Sequence, residues 1–309
     1  MQIVNGLHNI RPEHHGCVIT MGNFDGVHRG HQQLLRALLG VAAEYGVPST
    51  LVTFEPQPRE YFAGAEVPPR LTRLREKVKL LQATGLERLI LLPFNETTAQ
   101  TPPEWITEQL FHERLGAKFV IIGDDFRFGR DRKGDFELVK ATGERLGYGV
   151  SESQTYLEAG ERISSTRIRS ALKHGEFDLA ATLLGHEYFI MGRVVYGRQL
   201  GRQLGVPTAN IRLQRYKAAL EGVYCVTVAG IEDREYTGIA NIGVRPTVDG
   251  KEPLLEVHVF DYQGDLYNEL LTVTFKKKLR DERAFDSIDA LKAQIDQDIV
   301  AARDWFAQA

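Results

Sequence analysis

Cysteine is nearly absent from this chain. Only Cys17 and Cys225 occur among 309 residues, and neither stands in a CxxC or Cys/His spacing that would hold zinc. Both sit inside apolar runs and read as buried free thiols. Long apolar runs are missing as well: no stretch approaches the ~20 apolar residues of a membrane span. The opening MQIVNGLHNIRPEHHG lacks the basic-then-apolar pattern of a secretion signal, so the expectation is a cytoplasmic protein. A net charge of −3 gives no excess of cations for general nucleic-acid binding and leaves any basic chemistry to local pockets. GxGxxG and GxxxxGK[ST] are both absent, which excludes a Rossmann dinucleotide loop and a Walker loop. There is no internal repeat and no low-complexity tract.

What is present is ordinary globular material, 43% apolar and 26% charged, long enough for two domains with separate cores. The first part alternates short apolar runs with amphipathic stretches. Strands are expected at 17–21, 49–54, 88–92, 119–122 and, more weakly, 149–153. Helices are expected at 32–45, 71–83, 103–114 and 136–146. That alternation implies a parallel sheet covered on both faces, with ligands at the carboxyl ends of its strands. Two short helices, 165–174 and 178–184, follow before the pattern changes. From Tyr188 onward the runs are strand-like, at 189–196, 222–228, 235–242, 254–260 and 270–277, with turns such as Asp249-Gly250 between them. This pattern reads as a small antiparallel β-barrel, closed by a helix over 287–306 whose apolar residues Ile288, Leu291, Ile295, Ile299 and Ala302 recur at helical spacing. The expected boundary lies near residue 186, giving domains 1–186 and 187–309. Lys276 to Lys278 read as solvated charge at a strand end rather than as a nucleic-acid patch.

Residues 22–31 read GNFDGVHRGH, between the strand at 17–21 and a helix. Such a junction offers unpaired N–H groups and the positive end of a helix dipole, a seat for phosphate. Two histidines near a helix start can equally be capping or surface residues. The glycines Gly22, Gly26 and Gly30 favour the ligand reading, because they clear side chains from the path of an approaching ligand. Asn23 and Asp25 are turn formers that can also hold phosphate or a hydrated metal. ISSTRIR at 163–169 places Ser164, Ser165 and Thr166 before a helix carrying Arg167 and Arg169, which on its own is a hydroxyl cap followed by surface arginines. In VIIGDDFRFGRDRKGD at 120–135, Asp124 and Asp125 leave a buried strand, and Phe126 and Phe128 flank Arg127 in a loop that continues to Arg130. PTAN at 207–210 offers the Thr208 hydroxyl and the Asn210 amide oxygen, hard donors suited to Mg²⁺. Upstream, Gly201 and Arg202 belong to a run of alternating glycines and arginines consistent with a phosphate-covering loop.

These strings resemble, along nearly the whole chain, the bifunctional riboflavin kinase/FAD synthetases, a family whose first domain carries the HxGH signature of nucleotidyltransferases. VTFEPQPRE at 52–60, RLT at 70–72, GRQLGVPTANI at 201–211, GVY at 222–224, NIGVRPT at 241–247 and LEVHVFD at 255–261 extend the match. The resemblance implies a Rossmann-like α/β nucleotidyltransferase domain that adenylylates FMN to FAD, then a barrel that phosphorylates riboflavin to FMN. Each step would use ATP as co-substrate with Mg²⁺, and riboflavin, FMN, FAD and ATP would be its ligands, with no nucleic acid or membrane partner.

Under that resemblance His28 and His31 hold the ATP phosphates together with Gly22, Asn23, Asp25 and Gly30. Ser165, Thr166, Arg167 and Arg169 close over the triphosphate. Asp125, Phe126, Phe128 and Arg130 receive the flavin, since a planar ring wants an apolar face and its phosphate wants arginine. PTAN is the ATP and magnesium element, with Gly201 and Arg202 beside it, and Glu256 is the base of the kinase. On spacing alone Glu256 is an exposed strand carboxylate. The stretch 94–105 departs from the family pattern, which is more aromatic and less rich in proline there, and Tyr196-Gly197-Arg198 replaces a string closer to His-Gly-Asp. Two other readings stand beside this one. In the first, the N-terminal half activates a different phosphorylated small molecule; in the second, the chain is a flavin sensor whose kinase half is inactive.

Overall fold

The computed structural model describes residues 1–197, 205–247 and 250–308. The chain forms two compact units, Met1–Val67 with Lys77–Ser164 and Pro68–Glu76 with Ser165–Ala309.

The first unit is built on six strands: β1 (Gln2–Asn5), β2 (Cys17–Met21), β3 (Ser49–Glu55), β4 (Arg88–Pro93), β5 (Ala117–Gly123) and β6 (Gly149–Ser153). All neighbouring pairs are parallel, in the order β1-β4-β3-β2-β5-β6. Successive side chains on a strand point to opposite faces, and both faces are filled. Cys17, Ile19 and Met21 pack with Val52, Ile90 and Val120 in one core. Val18 packs with Leu51, Leu89 and Ile121 in the other. A strand buried on both sides must be apolar throughout, which is why β2 reads as an unbroken apolar run. Helix Arg29–Tyr45 closes the second core through Leu34, Leu35, Leu38 and Ala42. The chain steps from β2 to β3 to β4 on one side of β2, then returns to add β5 on the other. The carboxyl end of β2 is therefore the switch point of the sheet, where a crevice opens. A small hairpin, β7 (Leu157–Glu158) with β8 (Glu161–Arg162), ends this unit.

In the second unit β9 (Phe189–Val195), β10 (Ala209–Arg212), β11 (Gly222–Ile231), β12 (Arg234–Thr247), β13 (Gly250–Val259) and β14 (Leu270–Arg280) form a closed antiparallel barrel in the order β10-β13-β12-β11-β14-β9. Five of these strands match the sequence pattern; β10, four residues long after a proline turn, does not announce itself. Helix Ile288–Gln308 seals one side, its Ala302, Ile295 and Ile299 meeting Cys225, Ile239 and Phe260. The Arg280 guanidinium pins that helix by a bidentate bond to Asp298 at 2.8–3.1 Å. Lys276 and Lys278, from the lysine run, are paired with Glu187 and Asp281.

An ion pair lies fully inside the second unit. Glu76 and Arg215 have side chains 0% and 1% exposed, joined by two bonds of 3.1 and 3.0 Å. Glu76 also accepts the backbone N–H groups of Arg73 and Met191, and Arg215 donates to the Arg70 carbonyl. Removing one partner strands the other charge in a low-dielectric interior. Arg215→Ala is expected to lower the stability of this unit by about 3–5 kcal/mol in urea titrations. A loss below 1 kcal/mol would contradict the pairing.

Candidate active sites

The turn between β2 and helix Arg29–Tyr45 carries the first site. The helix starts three residues before the apolar periodicity suggests, because its cap is an imidazole. His28 is the N-cap residue, and its Nδ1 accepts the His31 N–H at 3.4 Å. A nitrogen that accepts carries no proton, so in the neutral ring the proton sits on Nε2, which makes Nε2 the donor. The His28 and His31 rings stack with centroids 3.6 Å apart, and Phe24 stacks on His31 at 4.6 Å. His31 Nδ1 is buried without a hydrogen-bond partner among the described residues, the state of a donor or acceptor waiting for a ligand. Gly30 keeps this turn open: a Cβ on it would lie 3.3 Å from the His28 ring, a tight contact that the ring would have to give way to. Asp25 and His28 are buried, and Gly22 and Asn23 are half-buried at the sheet's switch point. The expected phosphate residues of this turn thus converge.

Burial, more than the neighbouring His28 and Lys77, holds the His31 pKa well below the ordinary imidazole value. In the unfolded chain residue 31 takes up a proton below about pH 6.5, whereas in the fold it does not. Stability from this group is therefore complete above that pH and falls as the solution is acidified through it. Thermal melts from pH 7.5 to 5.5 should show a decline in the first unit that His31→Gln reduces; equal slopes in the two proteins would refute it.

Beside the turn lies a cavity of about 550 Å³ lined by Gly22, Asn23, Phe54, Arg59, Phe62, Phe94, Thr98–Gln100 and Asp125–Arg132. Phe126 and Phe128 stack at 5.3 Å, 19° apart, while Phe54, Phe62 and Phe94 meet edge-on at 5.5–5.7 Å. Asp125 is ion-paired with Arg162 at 2.7 Å, and Arg130 is exposed. Sequence reasoning found Phe126, Phe128 and Arg130 but missed Phe54, Phe62, Phe94 and Arg59. The stretch 94–105, which departs from the family pattern, contributes Phe94 and residues 98–100 to this cavity. The missed signal was the phenylalanine ending each of the runs at 54 and 94, at the ligand-binding edge of a parallel sheet.

Ser165, Thr166, Arg167 and Arg169 occupy the start of helix Ser165–His174, which groups with the second unit. Arg169 donates to the Pro69 carbonyl.

The barrel carries the other site. Across β10, β13 and β12 the register sets Asn210, Glu256 and Asn241 side by side, on the strand face opposite Leu255 and Val257, which are 0% exposed. Glu256 is half-buried and lines a cavity of about 340 Å³ with Thr208, Asn241, Glu282, Phe285, Leu291 and Ile295. It is therefore not the water-facing strand carboxylate that spacing alone suggests. Glu282, unnoticed in the sequence, accepts a bond from Asn241, and burial raises its pKa. A second cavity of about 530 Å³, lined by Pro207, Thr208, Asn210, Tyr262 and Tyr267, opens on the other side of Thr208. His258 Nδ1 donates to the Pro207 carbonyl at 2.8 Å, fixing the turn.

Asn210 is 6% exposed and its Nδ2 donates to the Thr208 carbonyl. Its Oδ1 is buried with no partner among the described residues, and a Cβ on Gly197 would fall 2.6 Å from this amide. An unsatisfied hard oxygen beside a hydroxyl fits a divalent cation. Among the described residues no group of three His, Cys, Asp or Glu could hold a metal, so such a cation would complete its shell from nucleotide phosphates. Gly201 and Arg202 lie outside the described residues.

Residues 10–167 match the family model for FAD synthetase, and residues 184–306 match that for riboflavin kinase. The chain belongs to the bifunctional riboflavin kinase/FMN adenylyltransferase family. It is 48% identical over 305 residues to the protein of that name from Pseudomonas fluorescens, covering 98% of this chain and 97% of the relative. To the Escherichia coli K12 protein of the same name it is 44% identical over 307 residues, covering 99% and 98%. A crystal structure from Streptococcus pneumoniae described as a macrolide-efflux protein superposes with a TM-score of 0.80 at 31% identity, covering 99% of this chain and all of that one. No helix among the described residues is long and apolar enough to cross a membrane. The families matched here use ATP and in general a divalent metal.

Proposed function

We propose that each half of the family's two-step chemistry is carried by the residues just described, within a division into domains 1–186 and 187–309. The chain is a bifunctional enzyme of flavin cofactor synthesis. One observation supports the division of labour above all: two separate turns, one of histidine and glycine, the other of threonine and asparagine, each beside its own cavity.

In the first reaction an oxygen of the FMN phosphate attacks the α-phosphorus of ATP, and the bond to the departing pyrophosphate breaks. The attacker is already an anion, so no base is needed. Catalysis reduces to aligning two repelling phosphates and neutralising the charge on pyrophosphate. His28 Nε2–H, His31 and the N–H groups at the start of helix Arg29–Tyr45 supply that as fixed donors, with Gly22, Asn23, Asp25 and Gly30 shaping the turn. Ser165, Thr166, Arg167 and Arg169 are assigned to the same nucleotide on the resemblance. The isoalloxazine ring takes the phenylalanine-lined cavity, where Asp125, Phe126, Phe128 and Arg130 lie.

In the second reaction the primary alcohol of riboflavin attacks the γ-phosphorus of ATP. Its proton passes to Glu256 as the oxygen–phosphorus bond forms and ADP leaves. Riboflavin occupies the cavity beneath helix Ile288–Gln308, and the nucleotide the cavity beyond Thr208, so that its phosphate end meets the carboxylate. Thr208 and Asn210 would hold Mg²⁺, which when bound supplies charge neutralisation to the phosphates; Gly201 and Arg202 are assigned to ATP. Both thiols are pushed up to about 11 by burial and take no part. A cytoplasmic location fits an enzyme that uses ATP twice. Incubating the protein with riboflavin, ATP and Mg²⁺ and separating products by chromatography should show FMN and then FAD. Flavin retained without turnover would instead indicate a sensor.

A further inference from the structure

One buried cation takes no part in the chemistry above. Lys77 is 0% exposed, and its ammonium donates to the Asn23 carbonyl at 2.6 Å. Both residues belong to the first unit. Sealing an ammonium away from water costs several kcal/mol before its partners compensate. Its presence at a fully buried position points to a need for charge and a donor there.

The turn supplies the need. Phe24, Gly26 and Val27 all have left-handed backbone, with φ of 49°, 85° and 42°. For the β-branched Val27 this is a strained conformation, which persists only where the surroundings impose it. Phe24 follows the tethered Asn23 directly and is the ring on which His31 stacks, with His28 stacked beyond. A tether on the Asn23 carbonyl therefore acts on the first member of a stack that ends at the proposed phosphate donor.

We propose that Lys77 is a positioning residue for adenylyl transfer: its ammonium, held on the Asn23 carbonyl, locks the strained turn in the form that aims the His28–His31 stack at the triphosphate, and sets a fixed positive charge behind it. This rests on the reading of the turn as the ATP site.

The test uses the full chain carrying Lys77→Met and assays one preparation for riboflavin phosphorylation and for conversion of supplied FMN to FAD. The expected result is a kinase rate within twofold of wild type, a kcat for FAD formation lowered about 100-fold, and a KM for FMN within threefold. A drop in kcat of less than tenfold, a KM rising in step, or a loss matched by the unfolded fraction in limited proteolysis overturns it. Should the methionine variant fail to fold, Lys77→Arg and Lys77→Gln decide. At least tenfold more FAD formation in the arginine variant supports the tether, and a smaller gap overturns it. His28→Ala, assayed alongside, separates the two levels. If it keeps FAD formation, the reading of the turn fails; if it loses activity while Lys77→Met keeps it, only the role of Lys77 falls.

Discussion

Glu256→Gln abolishes FMN formation from riboflavin, by about 10³-fold or more in kcat, and leaves the conversion of supplied FMN to FAD within twofold of wild type. General-base catalysis is worth about 10²–10⁴-fold, and the attacking alcohol has no anionic form at neutral pH. The amide keeps the volume of the side chain and its place in the row with Asn210 and Asn241, so binding persists and kcat carries the loss. The neighbouring Glu282 shares the cavity, and burial raises its pKa. It is the obvious understudy if the glutamine variant retains activity. Rates of ADP release with riboflavin and of FAD release with FMN, on one preparation, give both numbers. A glutamine variant phosphorylating riboflavin at more than a tenth of the wild-type rate would remove Glu256 from the role of base.

The reverse pattern is expected of His28→Ala. Riboflavin still becomes FMN, which accumulates, while FAD formation falls by about 10²–10³-fold, the scale of losing one preorganised donor at developing charge. Part of that loss is structural: without the His28 Nδ1 acceptor the His31 N–H loses its cap, worth about 1 kcal/mol. His28→Asn separates the two parts, since asparagine can cap the helix but cannot reach a phosphate as the Nε2 donor does. The asparagine variant should recover the melting temperature of the first unit without its adenylylation. Recovery of both would make His28 a cap and nothing more.

Much of this architecture could be read from the chain, and the exceptions share a cause. β2 is legible to the residue, and β3, β4 and β5 to within two, because a strand buried on both faces is an apolar run with sharp ends; β6, a half-buried edge strand reading GVSES, gives a weaker pattern. β1 has a single buried residue, Val4, and an edge strand of that kind leaves no pattern. β10 follows Pro207 and Thr208, turn-forming residues that hide the four-residue strand after them, although it carries Asn210. Helix Arg29–Tyr45 begins earlier than its periodicity because an imidazole takes the place of the usual hydroxyl or carboxylate cap. In the sites, Phe126 and Phe128 were legible through their spacing in one loop. Phe54, Phe62 and Phe94 come from three separate segments that only the parallel sheet gathers, and Glu282 and Asn241 reach the Glu256 cavity from separate elements of the barrel unit. Contacts of this kind are set by register, which the sequence does not display.

The most direct measurement is a crystal structure of the protein with Mg²⁺ and a non-hydrolysable ATP analogue at saturating concentration. The account predicts two nucleotides per chain. One has its triphosphate against His28 and His31. The other has its triphosphate against Thr208 and Asn210, with a cation on the Asn210 Oδ1 and the γ-phosphate facing Glu256. A single nucleotide, or two that avoid either turn, would contradict it.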